Sequence, residues 1–194
     1  ARPDAFALRD GARRLTWSEL VHWVDAMSAD LAAQGLRAND RVSLWASNRI
    51  ESVVMYLACS RNGYACNPSL HRTYTVDEIS GLLDRLSTKA ILVEEGWGAD
   101  VYRHDPFEAL GSLPAMRKVY RVPATRETGP EFPSTKSADI ELPASNENPD
   151  KVCYLAFTSG TTGTPKCVMH SDNTLLANAR DMVRDWKHDE TSRL

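Results

Sequence analysis

The sequence predicts an α/β fold, a largely parallel sheet with helices on both faces. Three observations predict it. Short apolar runs alternate with helical patterns along most of the chain, and that strand–helix–strand–helix rhythm calls for crossovers and parallel pairing. Three segments, Thr16-x-x-Glu19, Asn48-x-x-Glu51 and Thr75-x-x-Glu78, place a capping residue three positions before a glutamate and so mark helix starts. Finally, Val152 to Phe157 is a short apolar run, read as a buried strand, that gives way abruptly to a polar loop.

The elements follow in order. Phe6–Arg9 and Arg14–Trp17 flank Asp10-Gly11 and read as a hairpin with a tight turn. A helix runs from the Thr16 cap to Ala33, with Leu20, Trp23, Val24, Met27 and Leu31 on one face and Gly35 as its stop. Trp23 and Met27 are core residues in this reading, not a cofactor stripe. Arg41–Ala46 is a strand. Asn48 is expected to cap a second helix, whose face is Ile50, Val53, Val54, Leu57 and Ala58 and whose end is Asn62-Gly63. Tyr64–Asn67 is a short strand leading into Pro68. A third helix runs from the Thr75 cap to about Leu86, Lys89–Glu94 is a strand, a helix follows Asp105-Pro106, and Arg117–Val122 is a further strand.

Residues 124–150 hold four of the ten prolines and few large apolar residues, and read as a proline-rich surface connection within one domain spanning 1–194. After it come the Val152–Phe157 strand, a loop, a returning strand Cys167–His170, and a helix from Ser171 or Asp172 to about Trp186. Leu175, Leu176, Ala179, Met182 and Val183 line one face of that helix.

Composition narrows the function classes. The chain has 194 residues, 42% hydrophobic and 25% charged, with a net charge of −3. No basic excess points to nucleic acid, and no run of 18 apolar residues suggests a membrane span. Four cysteines (Cys59, Cys66, Cys153, Cys167) lack C-x-x-C spacing, and the first three lie in or beside apolar runs as small buried hydrophobes. Cys167-x-x-His170 has no second pair at ligand spacing, so no metal site is expected. The expected compartment is reducing cytoplasm. The first residue is Ala1, so the native N-terminus is expected to be absent, and an upstream targeting segment stays open.

The loop Thr158–Lys166 carries the chemistry. Five hydroxyls (Thr158, Ser159, Thr161, Thr162, Thr164) stand beside Gly160 and Gly163, with Lys166 at the end. Glycines let the backbone approach a ligand, successive N–H groups can form an anion-binding concavity, and hydroxyls and a cation add to it. That set suits a triphosphate. Neither G-x-x-x-x-G-K-[ST] nor G-x-G-x-x-G occurs.

Thr158-Ser-Gly-Thr-Thr-Gly-Thr-Pro-Lys166, between an apolar strand and Val168-Met169-His170-Ser171, resembles the phosphate-loop signature of the adenylate-forming superfamily. That superfamily includes acyl-CoA synthetases, luciferases and the adenylation domains of peptide synthetases. Gly35-Leu36 through Asn39-Asp40-Arg41-Val42, the Asn48 turn, and Asn62-Gly63-Tyr64 through Asn67-Pro68 also look like the opening region of acyl-CoA synthetases, so the resemblance spans nearly the whole chain.

The resemblance implies part of the large N-terminal domain of a ligase that activates a carboxylic acid with ATP as an acyl-adenylate, then transfers the acyl group to CoA. It implies nucleotide binding by Thr158, Ser159, Gly160, Thr161, Thr162, Gly163, Thr164 and Lys166, with Mg2+ bridging the phosphates. The family's adenine pocket, ribose-binding Asp, magnesium-binding Glu and catalytic Lys have no counterpart here; neither Tyr-Gly-x-Thr-Glu nor Ser-Gly-Asp occurs. The chain is therefore expected to be the N-terminal third of a longer enzyme, without a catalytic residue of its own and inactive alone. Homo-oligomerisation stays open. Two departures stand out: Cys167 replaces the glycine that usually follows the lysine, and Asp172 stands where a second histidine is often found. Asn67-Pro68-Ser69-Leu70-His71 looks more like acyl-CoA synthetases, including those for medium-chain or alicyclic acids, than like the alternative, a peptide-synthetase adenylation domain. A stand-alone phosphate-binding or interaction module is the alternative from another class.

Overall fold

In the computed structural model of the chain, residues 2–133, 141–158, 166–189 and 192 are described. A two-stranded antiparallel hairpin, β1 (Phe6–Asp10) and β2 (Arg13–Thr16), turns on Gly11 at φ 60° and precedes the main sheet. The sheet has six strands: β3 (Arg41–Trp45), β4 (Ala65–Asn67), β5 (Ala90–Glu94), β6 (Lys118–Val122), β7 (Val152–Thr158) and β8 (Lys166–Ser171). Their order is β6-β5-β3-β4-β7-β8, and every pairing is parallel except β7 with β8. The predicted α/β class with a largely parallel sheet is the one observed.

Helices α1 (Trp17–Ala33) and α2 (Ile50–Asn62) cover one face, and α3 (Val76–Leu86) and α4 (Pro106–Gly111) cover the other. Strand β5 shows why its sequence is apolar throughout. Ala90 and Leu92 join the core under α1 and α2, while Ile91 and Val93 join the core under α3 and α4. A strand covered on both sides has no solvent face to alternate with.

The capping boxes at Thr16/Glu19 and Thr75/Glu78 form with both reciprocal hydrogen bonds. The one expected at Asn48/Glu51 does not. The residue preceding α2 is Arg49, and it makes no side-chain cap bond. Asp10 of the hairpin instead accepts from the Ile50 amide at 3.4 Å, and Glu51 turns inward to arginine partners. A tertiary contact thus supplies the acceptor that the local pattern assigned to Asn48.

The described residues of 124–150 hold no helix or strand, yet they are tied down. Phe132 is buried edge-on between Trp23 (5.8 Å) and Tyr120 (6.2 Å), and the Trp23 indole donates to the Pro133 carbonyl at 2.5 Å. Helix α5 (Asp172–Asp185) begins at a capping pair of Ser171 and Thr174 and buries none of its residues.

Candidate functional site

Strands β3, β4, β5 and β7 run in one direction, so their C-terminal ends share one edge of the sheet. Adjacent β3 and β4 are followed by helices on opposite faces, α2 and α3. The space outside the carboxyl ends at such a reversal is where open α/β sheets bind ligands. Thr158, the last residue of β7, opens onto that edge.

The β7–β8 pairing runs from Val152↔Ser171 to Thr158↔Lys166, so Thr158 and Lys166 are directly opposite each other. The Thr158 hydroxyl lies 3.5 Å from the Lys166 carbonyl, and both residues are exposed. These two predicted site residues therefore meet at the mouth of the 159–165 loop. Ser159, Gly160, Thr161, Thr162, Gly163 and Thr164 lie outside the described residues.

Beneath this mouth is a polar row of which the sequence marked only Asn67 and Ser69, as part of a family-like segment and with no contact assigned to either. Ser69 Oγ accepts the Phe157 amide at 3.2 Å and donates to Asn67 Oδ1 at 3.0 Å. Asn67 is fully buried; its Oδ1 also lies 3.4 Å from the Ser69 amide, and its Nδ2 lies 3.5 Å from Ser43 Oγ. Ser43 Oγ in turn lies 3.5 Å from the Thr88 hydroxyl. The legible signal was an Asx turn: Asn followed by Pro and then Ser after a strand favours a side-chain bond to the amide two residues on.

Around the mouth the remaining candidates are structural. The His170 ring packs edge-on against Tyr154 at 5.9 Å, and Tyr154 packs the same way against Tyr56. Asp172 pairs with Lys151 and accepts from the Ser60 hydroxyl at 3.0 Å, which pins the start of α5 to α2. Burial is the largest influence and opposes its charge, but the hydrogen bonds from Lys151, Cys153 and Ser60 and the Lys151 charge together outweigh it and hold the carboxyl below its ordinary value. Cys59, Cys66 and Cys153 are buried, and burial pushes the Cys153 thiol up to about 11; Cys167 is exposed. Among the described residues no group of three or more His, Cys, Asp or Glu could hold a metal ion. No described helix is long and apolar enough to cross a membrane.

Comparison with known proteins places this geometry. The family model for the AMP-binding enzyme matches residues 1–194. A 3-[(3aS,4S,7aS)-7a-methyl-1,5-dioxo-octahydro-1H-inden-4-yl]propanoyl:CoA ligase of Mycobacterium tuberculosis is 35% identical over 195 residues, covering 95% of this chain and 37% of the relative. A fatty acid–[acyl-carrier-protein] ligase, MmaC of Mycobacterium marinum, is 32% identical, covering 95% of this chain and 33% of its own length. Apo MatB from Rhodopseudomonas palustris superposes with a TM-score of 0.79 at 22% identity, over 96% of this chain and 35% of that one. The ATP-bound form of MatB gives 0.78 at 24% identity, over 95% of this chain and 35% of that one. The chain thus spans about a third of the length of these relatives. With its matched fold and a family match over its whole length, the chain belongs to the AMP-binding enzyme family, whose relatives here include acyl-CoA ligases and synthetases.

Proposed function

We propose that these residues are the N-terminal part of an acid–thiol ligase that activates a carboxylic acid with ATP as acyl-AMP and passes the acyl group to CoA. The observation that carries the reading is the pairing of Thr158 with Lys166 at the carboxyl edge of the sheet, closing a Ser/Thr/Gly loop in an AMP-binding chain. Backbone N–H groups of Ser159 to Gly163, with the hydroxyls of Thr158, Ser159, Thr161, Thr162 and Thr164, would donate to the β- and γ-phosphate oxygens. Lys166 would offset the charge that develops as pyrophosphate leaves. Mg2+, implied by the family resemblance, would come with the nucleotide and offset the charge of the leaving pyrophosphate.

The acid class follows the names of the relatives. Ligases for an alicyclic propanoate from Mycobacterium tuberculosis and Rhodococcus jostii are 35% and 31% identical to this chain. An alicyclic or medium-chain acid is the first substrate to try, and the cytoplasm is the expected compartment. A carrier-protein acceptor is the second reading, favoured by the relative named as a ligase for acyl-carrier protein. The test is pyrophosphate exchange and hydroxamate trapping by the full-length protein with a panel of acids, followed by transfer to CoA or to a pantetheinyl carrier protein. Exchange with no acid in the panel would leave the non-catalytic module in place of the ligase. Transfer to the carrier alone would replace CoA as the acceptor.

A further inference from the structure

We propose that Asn67 and Ser69 are positioning residues for nucleotide, setting where the phosphate loop leaves the sheet; this rests on the assignment of residues 158–166 to the triphosphate. The argument starts from how weakly β7 is laddered on its β4 side. Strand β4 is three residues long, and its register with β7 is the single pair Cys66↔Tyr154. Past Asn67 the chain continues into Pro68, which has no N–H to give a ladder. The last residues of β7, those that lead into the loop, therefore extend beyond the end of the neighbouring strand. On the other side β7 pairs only with β8, a largely exposed strand at the edge of the sheet.

Ser69 replaces the missing backbone rung. Its Oγ accepts the Phe157 amide at 3.2 Å, one residue before Thr158. A hydroxyl on a free rotor would be a poor anchor, but this one is held. Its proton goes to Asn67 Oδ1 at 3.0 Å, which leaves its lone pairs for the amide. Asn67 is itself fixed, because its side chain is fully buried and Ser43 lies opposite it in the β3–β4 register. A carboxamide in a sheet interior carries a desolvation cost that an apolar residue would avoid. Its return here is directional: it aims one hydroxyl at one amide at the foot of the loop. A displacement of about 1 Å at a binding loop can cost on the order of a hundredfold in rate, so this aim matters to a ligand gripped by backbone N–H groups.

The experiment uses the full-length protein and follows adenylation with ATP, pyrophosphate and the acid substrate. Ser69→Ala should raise KM for ATP by about tenfold to a hundredfold and leave KM for the acid within about twofold. Ser69→Thr, which keeps the hydroxyl, should restore most of the loss. Thr88→Val removes a buried hydroxyl from the far end of the polar row without touching Ser69. It should lower the unfolding temperature but leave KM for ATP unchanged. Lys166→Ala is run alongside. If Lys166→Ala impairs adenylation and Ser69→Ala does not, the positioning role is overturned while the loop assignment stands. If neither variant affects ATP, both fall. If Ser69→Ala and Thr88→Val raise KM for ATP and for the acid alike, or Ser69→Thr fails to rescue, Ser69 serves stability alone and the proposal is overturned.

Discussion

Arg49 and Glu51, two residues apart, pair at 2.8 Å with both side chains fully buried. Glu51 also takes two hydrogen bonds from Arg13 of the hairpin, at 2.5 and 3.1 Å, and one from Thr128 at 3.0 Å. Arg49 also donates to the Pro123 and Glu127 carbonyls, at 2.8 and 2.9 Å, and lies 3.8 Å from the Glu94 carboxylate, a weaker second partner. Two side chains thus join the hairpin, the start of α2 and the connection after β6. Replacing one partner of such a pair strands the other charge in the interior, at about 3–5 kcal/mol. Glu51→Leu is therefore expected to lower the unfolding free energy of the full-length protein, measured in urea, by that order, and more than Arg13→Leu, which removes a partly exposed partner. Equal effects would show that Glu51 acts through Arg13 rather than Arg49.

The same carboxylate sets an acid limit. Burial pushes Glu51 toward the neutral form, but the hydrogen bonds from Arg13 and Arg49 outweigh it and hold the group at about 2, against an ordinary 4.5. As pH falls below 4.5 the unfolded chain takes up the proton first, so the stability that Glu51 provides above that pH drains away down to about 2. Denaturation curves between pH 6 and pH 3 should show a loss that is smaller in Glu51→Gln. A variant with the same pH slope as the native protein would assign the acid loss to other carboxylates.

How much of this was legible follows from where the physics is local. Caps at Thr16 and Thr75 rest on residues three apart, and both formed as read. Strands β3 and β5 announced themselves as apolar runs because both faces are covered. Asn48 misled because the acceptor at the start of α2 is Asp10, forty residues earlier, and no window on the sequence contains both. Phe132 was hidden for the same reason: a lone aromatic among prolines gives no periodicity, and only the fold brings it between Trp23 and Tyr120. Of the proposed site residues, Thr158 and Lys166 were suggested by loop chemistry and prove to be paired across β7 and β8, whereas Ser69 contacts β7 across 88 residues of chain. The stripe on α5 was read correctly as helical spacing, but spacing does not say what covers it.

Gly63 closes α2 at φ 76°, a conformation that costs an L side chain about 1–2 kcal/mol. A Cβ placed there would also come within 2.3 Å of Asn146 Nδ2. Gly63→Ala should destabilise the protein by at least the backbone cost, and Asn146→Ala should relieve only the steric part. A double-mutant cycle in urea separates the two. Additive effects would mean that Asn146 moves aside freely.

Lys166 stands at the root of the loop, exposed and opposite Thr158. If it offsets charge on departing pyrophosphate, Lys166→Ala should slow adenylation by about tenfold to a thousandfold, mostly in kcat. Pyrophosphate exchange in the full-length protein measures this directly. An unchanged rate removes Lys166 from the phosphate site.

Residues 1–194 expressed alone are the sharpest case. Helix α5 buries none of its residues, and Leu176, Met182, Val183 and Trp186 all stand exposed. Beside it, β8 is the last strand of the sheet, with Val168 exposed and Met169 68% exposed. An open strand edge next to an apolar helix stripe offers both backbone pairing and hydrophobic area to another chain. The isolated polypeptide should therefore self-associate, with a sedimentation coefficient that rises with concentration. Replacing Met169 and Val183 with Lys should shift it toward monomer without altering the far-UV circular dichroism. Its loop, without an adenine pocket, supplies little of the binding energy for ATP, so hydroxamate trapping with ATP, Mg2+ and the acid panel should give no product. A monodisperse monomer that forms hydroxamate would mean that the exposed faces of α5 and β8 need no cover, and that the ligase chemistry is complete within these residues.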